Sequence, residues 1–426
     1  MGQNTMCRDA SSGRAGAVVT DRRKTVWILN HYATLGQGRH YKLAYQLARK
    51  GHSVTVFAAS TVHGTERNLI TGRAPYILEE DGPVPFIFIR ARDYSGNGRD
   101  RMGNMADYAW RVVSVSKKLS MVKPDVVIAS SVHPLTWLSG YIIARRYHAK
   151  FVAETRDLWP QTLIDMGRLR ENSIAAKVLY GLERFIYTKA DRLVFTMPGG
   201  KDYVASLGLD TSKVAYINNG VDLEEFHQNK VTHVYPDADL DRTDVFKVVY
   251  TGSMGQANAL HYVVEAAEIV LSRGISQILF LLYGDGYQKQ ELEELARRRG
   301  LTNIRFKGRV EKRFVPSILS RSDLNIFTGQ DIPLYKYGLS LNKMFEYFAS
   351  GKPTISNVEC GYDLLDKYQC GITVQGGCPE ALADGIIKFY DMPPEDYARF
   401  CQHASIAAQD FDFKVLAEKL EQLLLE

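Results

Sequence analysis

The chain has 426 residues, which is too long for one ordinary domain and predicts two domains of about 200 residues each. With 45% hydrophobic and 24% charged residues, it has the composition of a soluble globular protein. The formal net charge of +5 is too small to indicate a nucleic-acid partner, although it could help docking to an anionic membrane surface. The five cysteines form no CxxC pair, which argues against a zinc knuckle or a disulfide framework and fits a reducing cytoplasm. No apolar run approaches the roughly 18 residues of a membrane-spanning helix.

The first 24 residues are polar and rich in serine, glycine and arginine, and they lack the apolar core of a signal peptide. We therefore predict a disordered tail over residues 1–24. A first domain is predicted over residues 25–226. Residues 227–244 are polar and rich in proline and aspartate, so we predict a linker there. The second domain is predicted over residues 245–400, followed by a helical segment over 401–426.

The first domain begins with an apolar strand at 25–29, a loop with two glycines, a helix and a second strand at 54–58. This βαβ order predicts a parallel, doubly wound α/β sheet. Gly36 and Gly38 would let a ligand's phosphates approach the backbone, although a plain tight turn is the alternative. The loop lacks the third glycine of the dinucleotide fingerprint, which makes a nicotinamide cofactor a poor interpretation.

Polar residues follow two later strands of this domain, at the edge where open α/β sheets bind ligands. His133 follows the strand at 126–129, and Arg156 and Asp157 follow the strand at 151–154. His133 could bond a substrate hydroxyl or be a satisfied structural histidine. Arg156 and Asp157 could orient a substrate or pair with each other. Residues 90–104 are predicted to form an irregular loop. Two predicted helices, at 105–121 and 174–188, are aromatic and basic, which is typical either of membrane-surface helices or of buried amphipathic ones.

The second domain carries glycine loops after its predicted strands at 246–250 and 278–283. Gly252 and Ser253 follow the first strand, and Gly286 follows the second; the segment at 303–310 ends in Arg309 and Val310. The linker contains Asp237 and Asp239, but a metal site there is a weak hypothesis because the pair does not follow an apolar strand. We expect no metal site.

The stretch YKYGLSLNKMFEYFASGKP, at 335–353, predicts a polar loop that leads into a helix. Ser340 and Asn342 are candidate N-caps, and apolar residues recur behind them at helical spacing. Lys343 and Glu346 lie one turn apart on the other face. A helix start offers free N–H groups and partial positive charge to a phosphate, which Lys336 and Lys343 would reinforce. An ordinary amphipathic helix with solvated charges is the alternative.

This stretch resembles the donor-site motif of glycosyltransferase family 4, in which the second of two glutamates contacts the ribose of a nucleotide-sugar. Glu346, in EYFASGKP, matches that second glutamate, whereas Gly338 stands where the first would be. The segment YGLSLNK at 337–343 and RDLWP at 156–160 are similar to a branch acting on bacterial surface polysaccharides, including N-acetyl-L-fucosaminyltransferases. The order of glycine loops in the second domain also resembles family 4.

The resemblance implies a GT-B fold, with an acceptor-side first domain, a nucleotide-sugar-binding second domain and a last helix that crosses back to the first. It implies a retaining, metal-independent transferase, without a cofactor, that moves a sugar from a UDP-sugar to an undecaprenyl-diphosphate-linked saccharide. Resemblance to the surface-polysaccharide branch further implies that the transferred sugar is an N-acetylated amino-deoxy sugar and that the enzyme acts in O-antigen synthesis. The donor site would comprise Gly36, Gly38, Gly252, Ser253, Gly286, Arg309, Val310, Lys336, Ser340, Asn342, Lys343 and Glu346.

His133, Lys343 and Asp157 are the catalytic candidates, and His133, Arg156 and Asp157 the acceptor-binding ones. The family's usual diphosphate-binding Arg and Lys are missing from 252–258, so Lys336, Lys343 and Arg309 are the expected replacements. A lipid-linked acceptor implies a cytoplasmic enzyme peripherally associated with the membrane. Other hypotheses are a GT-B epimerase or hydrolase, a nicotinamide-dependent oxidoreductase and a non-catalytic sugar-nucleotide binder.

Overall fold

A computed structural model describes residues 23–426 apart from Asp81, Asn97, Ser120 and Val132. The predicted tail therefore lies outside the described residues except for its last two positions. The described chain forms two parallel-sheet α/β domains, which confirms the predicted fold class.

The sheet of the first domain has eight strands in the order β3-β4-β2-β1-β5-β6-β7-β8, all parallel except for the antiparallel edge strand β3. Its strands are β1 (Thr25–Leu29), β2 (Ser53–Ala59), β3 (Tyr76–Glu79), β4 (Phe86–Ile89), β5 (Val126–Ser130), β6 (Lys150–Thr155), β7 (Arg192–Phe195) and β8 (Val214–Tyr216).

Helices cover both faces of this sheet because its apolar strands bury alternate side chains on opposite sides. In β1, Val26 and Ile28 join one buried apolar cluster, while Trp27 and Leu29 join another. The helices up to the second sheet are α1 (Gly38–Arg49), α2 (Arg99–Val115), α3 (Pro134–Tyr147), α4 (Gln161–Asp165), α5 (Ile174–Lys189), α6 (Gly200–Ser206), α7 (Leu223–Thr232) and α8 (Ala238–Asp241).

The second sheet has six parallel strands in the order β11-β10-β9-β12-β13-β14. Its strands are β9 (Phe246–Thr251), β10 (Ile278–Tyr283), β11 (Ile304–Gly308), β12 (Leu324–Phe327), β13 (Thr354–Ser356) and β14 (Gly371–Thr373). The remaining helices are α9 (His261–Ser272), α10 (Lys289–Arg298), α11 (Val315–Ser320), α12 (Asn342–Ala349), α13 (Leu364–Tyr368), α14 (Pro379–Tyr390), α15 (Pro394–Asp410) and α16 (Phe413–Leu425). A 3₁₀ helix at Pro333–Tyr337 precedes α12.

The chain returns to the first domain just after α15. The N–H of Val221 donates to the carbonyl oxygen of Phe411, and the N–H of Phe413 donates back to Val221. A Cβ on Gly220 would lie 2.3 Å from the Phe411 oxygen, so this crossing requires a glycine there. Helix α16 then packs along the first domain, and its Glu421 forms a salt bridge with Lys50 of that domain.

Several sequence-based boundaries differ from the structure. The predicted boundary at residue 400 falls inside α15, and the chain crosses back at 411–413 instead. The predicted linker is partly helical, because α7 runs into it and α8 lies within it. Helix α2 begins at Arg99 and ends at Val115, earlier than the prediction of 105–121. This places Asn104, predicted to lie in a loop, on a helix and in the core.

Candidate functional site

A cavity of about 490 Å³ lies between the two domains, where loops of the first sheet face the start of α12. Among its lining residues are Gly36, Gly38, Arg156, Asn342 and Glu346, five of the predicted site residues. A larger cavity, of about 650 Å³, is lined by residues at the amino ends of β1, β5, β6 and β7. Ligands of open parallel sheets bind at the carboxyl ends of the strands, so the interdomain cavity is the candidate site.

The start of α12 is organised differently from the prediction. Leu341 is the N-cap, and neither Ser340 nor Asn342 caps the helix. The Ser340 hydroxyl donates instead to Oδ1 of Asn218, in the first domain. The amide of Asn219 also donates to the backbone oxygen of Ser340, at 2.9 Å. The prediction of two capping side chains is therefore wrong, because the loop before α12 contacts the first domain through Ser340 instead.

Lys343 is half-buried and is not among the lining residues of the cavity, and its ammonium group points into the second domain. Its Nζ donates to the hydroxyl of Tyr250 at 2.9 Å and to Oδ1 of Asn258 at 2.8 Å. The ammonium group also lies 4.4 Å from the centre of the Tyr250 ring. Burial lowers the pKa of Lys343 to about 7, and no carboxylate among the described residues forms a salt bridge with it. Lys343 is thus a desolvated cation without an opposite charge, which is a frequent feature of anion-binding sites.

The glycine loops of the second domain pack closely around Lys343. A Cβ on Gly252 would lie 3.0 Å from the Lys343 Nζ. Cβ atoms on Gly284 and Gly286 would lie 1.7 Å and 2.4 Å from backbone oxygens of the neighbouring loop. Ser253 is exposed, and its hydroxyl accepts from Asn258, the same amide that bonds Lys343. These loops therefore need glycines, and they position the lysine even though they contribute no positive charge themselves.

Glu346 lines the interdomain cavity and accepts a 3.4 Å salt bridge from Lys312. Lys312 and Arg313 line the same cavity, whereas Arg309 is exposed and is absent from the lining. Val310 is half-buried and packs against the core. Arg309 therefore does not border this cavity, because the chain turns away after β11. The two basic residues that follow, within a short 3₁₀ helix, occupy the place instead.

Lys336 lies outside the cavity lining. Its Nζ lies 5.0 Å from the ring centre of Tyr337, and Tyr337 itself packs against Tyr203 of the first domain. The 3₁₀ helix that carries both residues is therefore part of the contact between the domains.

Gly338, at the position of the missing glutamate, has no room for a side chain. Its φ of 93° favours glycine, and a Cβ there would lie 2.7 Å from the Cδ of Pro198 in the first domain. At the position of the missing glutamate, Gly338 thus packs directly against the first domain.

A buried ion cluster that the sequence analysis missed forms one wall of the cavity. Arg39 donates through Nε and Nη2 to Glu154, at 2.9 and 2.7 Å. His40 bonds the other oxygen of Glu154 at 2.6 Å. Arg39 also donates to the backbone oxygens of Ile217 and Asn218. The pKa of Glu154 is held well below its usual value because the adjacent Arg39 and His40 outweigh the effect of burial.

His133 lies outside the cavity lining and is 1% exposed. The amide nitrogen of Asn104 donates to the oxygen of Arg92, so its Oδ1 accepts from Nε2–H of His31, at 2.7 Å. Burial lowers the pKa of His31 to about 3, which keeps that ring neutral, so its Nδ1 accepts from His133 Nε2–H at 2.9 Å. His133 Nδ1 therefore has a free lone pair and no bonding partner among the described residues.

Arg156 and Asp157 do not form a salt bridge with each other. Arg156 lines the cavity, and its Nε is buried without a hydrogen-bond partner in the described structure. Asp157 is exposed and absent from the lining. Of the two explanations that the sequence left open, pairing between these side chains is wrong.

No group of three or more His, Cys, Asp or Glu side chains within the described residues is placed to hold a metal ion. Asp237 and Asp239 both form salt bridges with Lys307, at 2.7 and 2.6 Å. In the described part of the chain, the helices are too short or too polar to cross a membrane.

Comparisons with known proteins agree with this architecture. Residues 36–225 match the family described as Glycosyltransferase Family 4, and residues 245–392 match Glycosyl transferases group 1. A probable glycosyltransferase, WbjE of Pseudomonas aeruginosa, is 24% identical over a match that covers 61% of this chain and 64% of that protein.

Two solved structures share the fold. Sucrose-phosphate synthase from Thermosynechococcus elongatus has a TM-score of 0.70 at 17% identity, covering 94% of this chain and 98% of that one. Anabaena Alr3699/HepE, in complex with UDP and glucose, has a TM-score of 0.64 at 15% identity, covering 94% and 99%. The chain belongs to the glycosyltransferases of family 4, enzymes with the GT-B fold.

Proposed function

We propose that the protein transfers a sugar from a UDP-sugar to a lipid-linked saccharide, with retention of configuration and without a metal ion. The main observation in favour of UDP-sugar binding is the position of Glu346, which lies in the interdomain cavity with the Gly36–Gly38 loop. A carboxylate there can accept hydrogen bonds from the two ribose hydroxyls. The Anabaena protein with the same fold binds UDP and glucose, which supports a uridine nucleotide.

The donor diphosphate lies near the start of α12 in this proposal. The free N–H groups of the first turn and the buried Lys343 meet the negative charge that grows as the glycosidic bond breaks. The described residues offer no metal cluster for this purpose, whereas Lys343 has an ammonium group without an opposite charge. The acceptor attacks from the face that the diphosphate leaves, and that phosphate takes the proton. This route needs no enzyme nucleophile, which is compatible with Gly338 at the glutamate position.

His133 contributes as a hydrogen-bond acceptor rather than as an acid. Burial and the neighbouring His31 hold its pKa well below the usual value, so the ring is neutral at physiological pH. Its Nδ1 lone pair is free but buried outside the cavity lining, so a sugar hydroxyl reaches it only if the surrounding residues move when the substrate binds. The YGLSLNK and RDLWP segments favour an N-acetylated amino-deoxy sugar and a surface polysaccharide such as O-antigen.

Membrane association is supported by the exposed surface of α2 and α5, which pack on either side of α3. Trp110 on α2 is 79% exposed, and Ile174 and Val178 on α5 are 83% and 63% exposed. Exposed lysines accompany them, including Lys117 and Lys177. An apolar surface with basic residues can dock on the anionic inner face of a cell membrane, where a lipid-linked acceptor is available.

The decisive test is transfer from a panel of UDP-sugars to undecaprenyl-diphosphate-linked saccharides. We expect a glycolipid product with retained anomeric configuration, measured by NMR, and unchanged rates in EDTA. A parallel incubation without acceptor separates the alternatives. Fast release of free sugar or of an epimer would indicate a hydrolase or an epimerase, and UDP binding without any turnover would indicate a non-catalytic binder. An inverted product or rates that require Mg²⁺ would contradict the mechanism.

A further inference from the structure

The cations that line the interdomain cavity are nearly all neutralised by a carboxylate. Arg39 pairs with Glu154, and Lys42 pairs with Asp222 at 2.8 Å. In the second domain, Lys312 pairs with Glu346, and Arg313 pairs with Glu311 at 3.0 Å. Arg156 is the exception among the described lining residues, because it has no salt-bridge partner.

The surroundings of Arg156 explain why it stays unpaired. Glu154, two residues earlier, already accepts three hydrogen bonds from Arg39 and His40. Asp157, the next residue, forms no salt bridge with it; burial of the carboxyl raises the pKa of Asp157, and the charge of Arg156 only partly opposes that rise. The charge of Arg156 acts on its neighbours, since it contributes to lowering the pKa of both Arg39 and His40. Arg156 therefore has no carboxylate within salt-bridge distance among the described residues.

The backbone at Arg156 is fixed on both sides of the residue. Its N–H donates to the hydroxyl of Ser131 at 3.1 Å, and its carbonyl oxygen accepts from Thr196. The side chain has a buried Nε without a hydrogen-bond partner and borders the cavity. Burying part of a guanidinium group without a partner is costly, and the cost is removed when a ligand supplies the anion.

We infer that Arg156 binds a phosphate group of the acceptor, specifically the diphosphate that joins the acceptor saccharide to its lipid. This inference rests on the proposed function and extends it to the acceptor. The donor diphosphate is assigned to α12 and Lys343 in the second domain, whereas Arg156 belongs to the first. The chain also leads from Arg156 through α4 directly into α5, which carries exposed Ile174 and Val178. A lipid diphosphate held by Arg156 would thus lie on the same domain as the proposed membrane surface.

The inference is testable without knowing the acceptor saccharide. Geranyl diphosphate, a short soluble prenyl diphosphate, is titrated into the enzyme saturated with UDP, so that the donor diphosphate site is already occupied. We expect saturable binding by calorimetry, and at least tenfold weaker binding in Arg156→Met, because a charge-assisted bidentate contact is lost. Arg156→Lys should recover part of the affinity. Arg313→Met is the matched control: it removes a cavity arginine already paired with Glu311, and should change this affinity less than twofold.

The outcomes separate this inference from the proposed function. UDP affinity in Arg156→Met should stay within twofold of the wild type, which also shows that the variant is folded. If Arg156→Met weakens UDP tenfold and leaves geranyl diphosphate unaffected, Arg156 belongs to the donor site and the inference is wrong. Absence of geranyl diphosphate binding to the UDP-saturated wild type would also overturn it. If inorganic pyrophosphate binds as tightly as geranyl diphosphate, the site recognises a diphosphate without its lipid, which contradicts the assignment. Failure of UDP itself to bind would instead reject the proposed function.

Discussion

The Nζ of Lys343 lies 2.9 Å from the hydroxyl oxygen of Tyr250 and above the same ring. Tyr250 is the second-last residue of β9, and its hydroxyl donates to the backbone oxygen of Ser253 in the following glycine loop. The tyrosine therefore accepts from the lysine and positions it without neutralising its charge. The result is an ammonium group whose pKa is lowered to about 7 by burial, beside the glycine loop that follows β9.

This pKa predicts that donor binding depends on pH. Below about pH 7 Lys343 is mostly protonated and attracts a diphosphate, and above it the charge is lost, so the affinity should fall as the pH rises. We expect UDP-glucose to bind roughly tenfold more weakly at pH 8.5 than at pH 6.5, with proton uptake on binding above pH 7. Calorimetry in two buffers of different ionisation enthalpy measures both quantities. Lys343→Met should abolish the proton uptake; equal wild-type affinity at both pH values would refute the role of Lys343.

Removal of Lys343 should also slow the chemical step. If the ammonium group meets charge that develops as the diphosphate leaves, Lys343→Ala should lower kcat by about 10²–10³, with a smaller effect on the donor KM. Lys336→Ala is the comparison, because that lysine lies over Tyr337 in the contact between the domains, and its loss should lower kcat less. A near-normal kcat in Lys343→Ala would show that another group stabilises the leaving diphosphate.

The carboxylate of Glu346 is predicted to bind the ribose. Glu346→Ala should weaken UDP binding at least tenfold, because two hydrogen bonds to a charged acceptor are worth roughly 1.5–3 kcal/mol. Glu311→Ala is the matched control, since Glu311 is an exposed acid beside the same cavity and pairs with Arg313. Calorimetric titration of both variants with UDP distinguishes them. Unchanged UDP affinity in a folded Glu346→Ala protein would remove Glu346 from the donor site.

Strands β1, β2, β5, β6, β9 and β10 and the helix that carries Glu346 could be predicted from the sequence because they depend on short patterns. A run of four to six apolar residues between charged or glycine-rich turns indicates a buried strand. The bond between Arg39 and Glu154 could not be predicted in this way, because the two residues are 115 positions apart. The sequence likewise indicates that Lys343 begins a helix, but its burial depends on Tyr250 and Asn258 from another part of the domain.

Local rules failed where the two domains meet. Ser340 has the side chain of a good N-cap, yet it bonds Asn218 across the interface. Arg309 ends a basic segment and was expected in the cavity, but the direction of the chain after β11 brings Lys312 and Arg313 there. A contact between the domains determined the first position and the course of the chain after β11 determined the second, and no short segment contains that information.

The packing at Gly338 predicts that the family's first glutamate cannot simply be restored. Gly338→Ala should destabilise the protein by about 2–4 kcal/mol, because it combines a positive φ with a clash against Pro198. Gly274 has a similar φ of 79° but open space around it, so Gly274→Ala should destabilise the protein by only about 1 kcal/mol. Thermal or denaturant unfolding of both variants measures the difference. Equal destabilisation would show that the contact with Pro198 contributes little, and Gly338→Glu would then be worth testing for activity.

The exposed surface of α2 and α5 predicts peripheral binding to anionic membranes. Wild-type protein should float with liposomes that contain anionic lipid at low salt, and the bound fraction should fall as salt rises, because each lysine or arginine contributes only about 1 kcal/mol. Trp110→Ser should reduce flotation several-fold, since an exposed tryptophan is suited to the membrane interface. Tyr287→Ser is the matched control: Tyr287 is 76% exposed but lies in the second domain, so flotation should not change. If the wild type stays in solution at low salt, or if both variants lose binding equally, the assigned surface is wrong and the acceptor must reach the enzyme by another route.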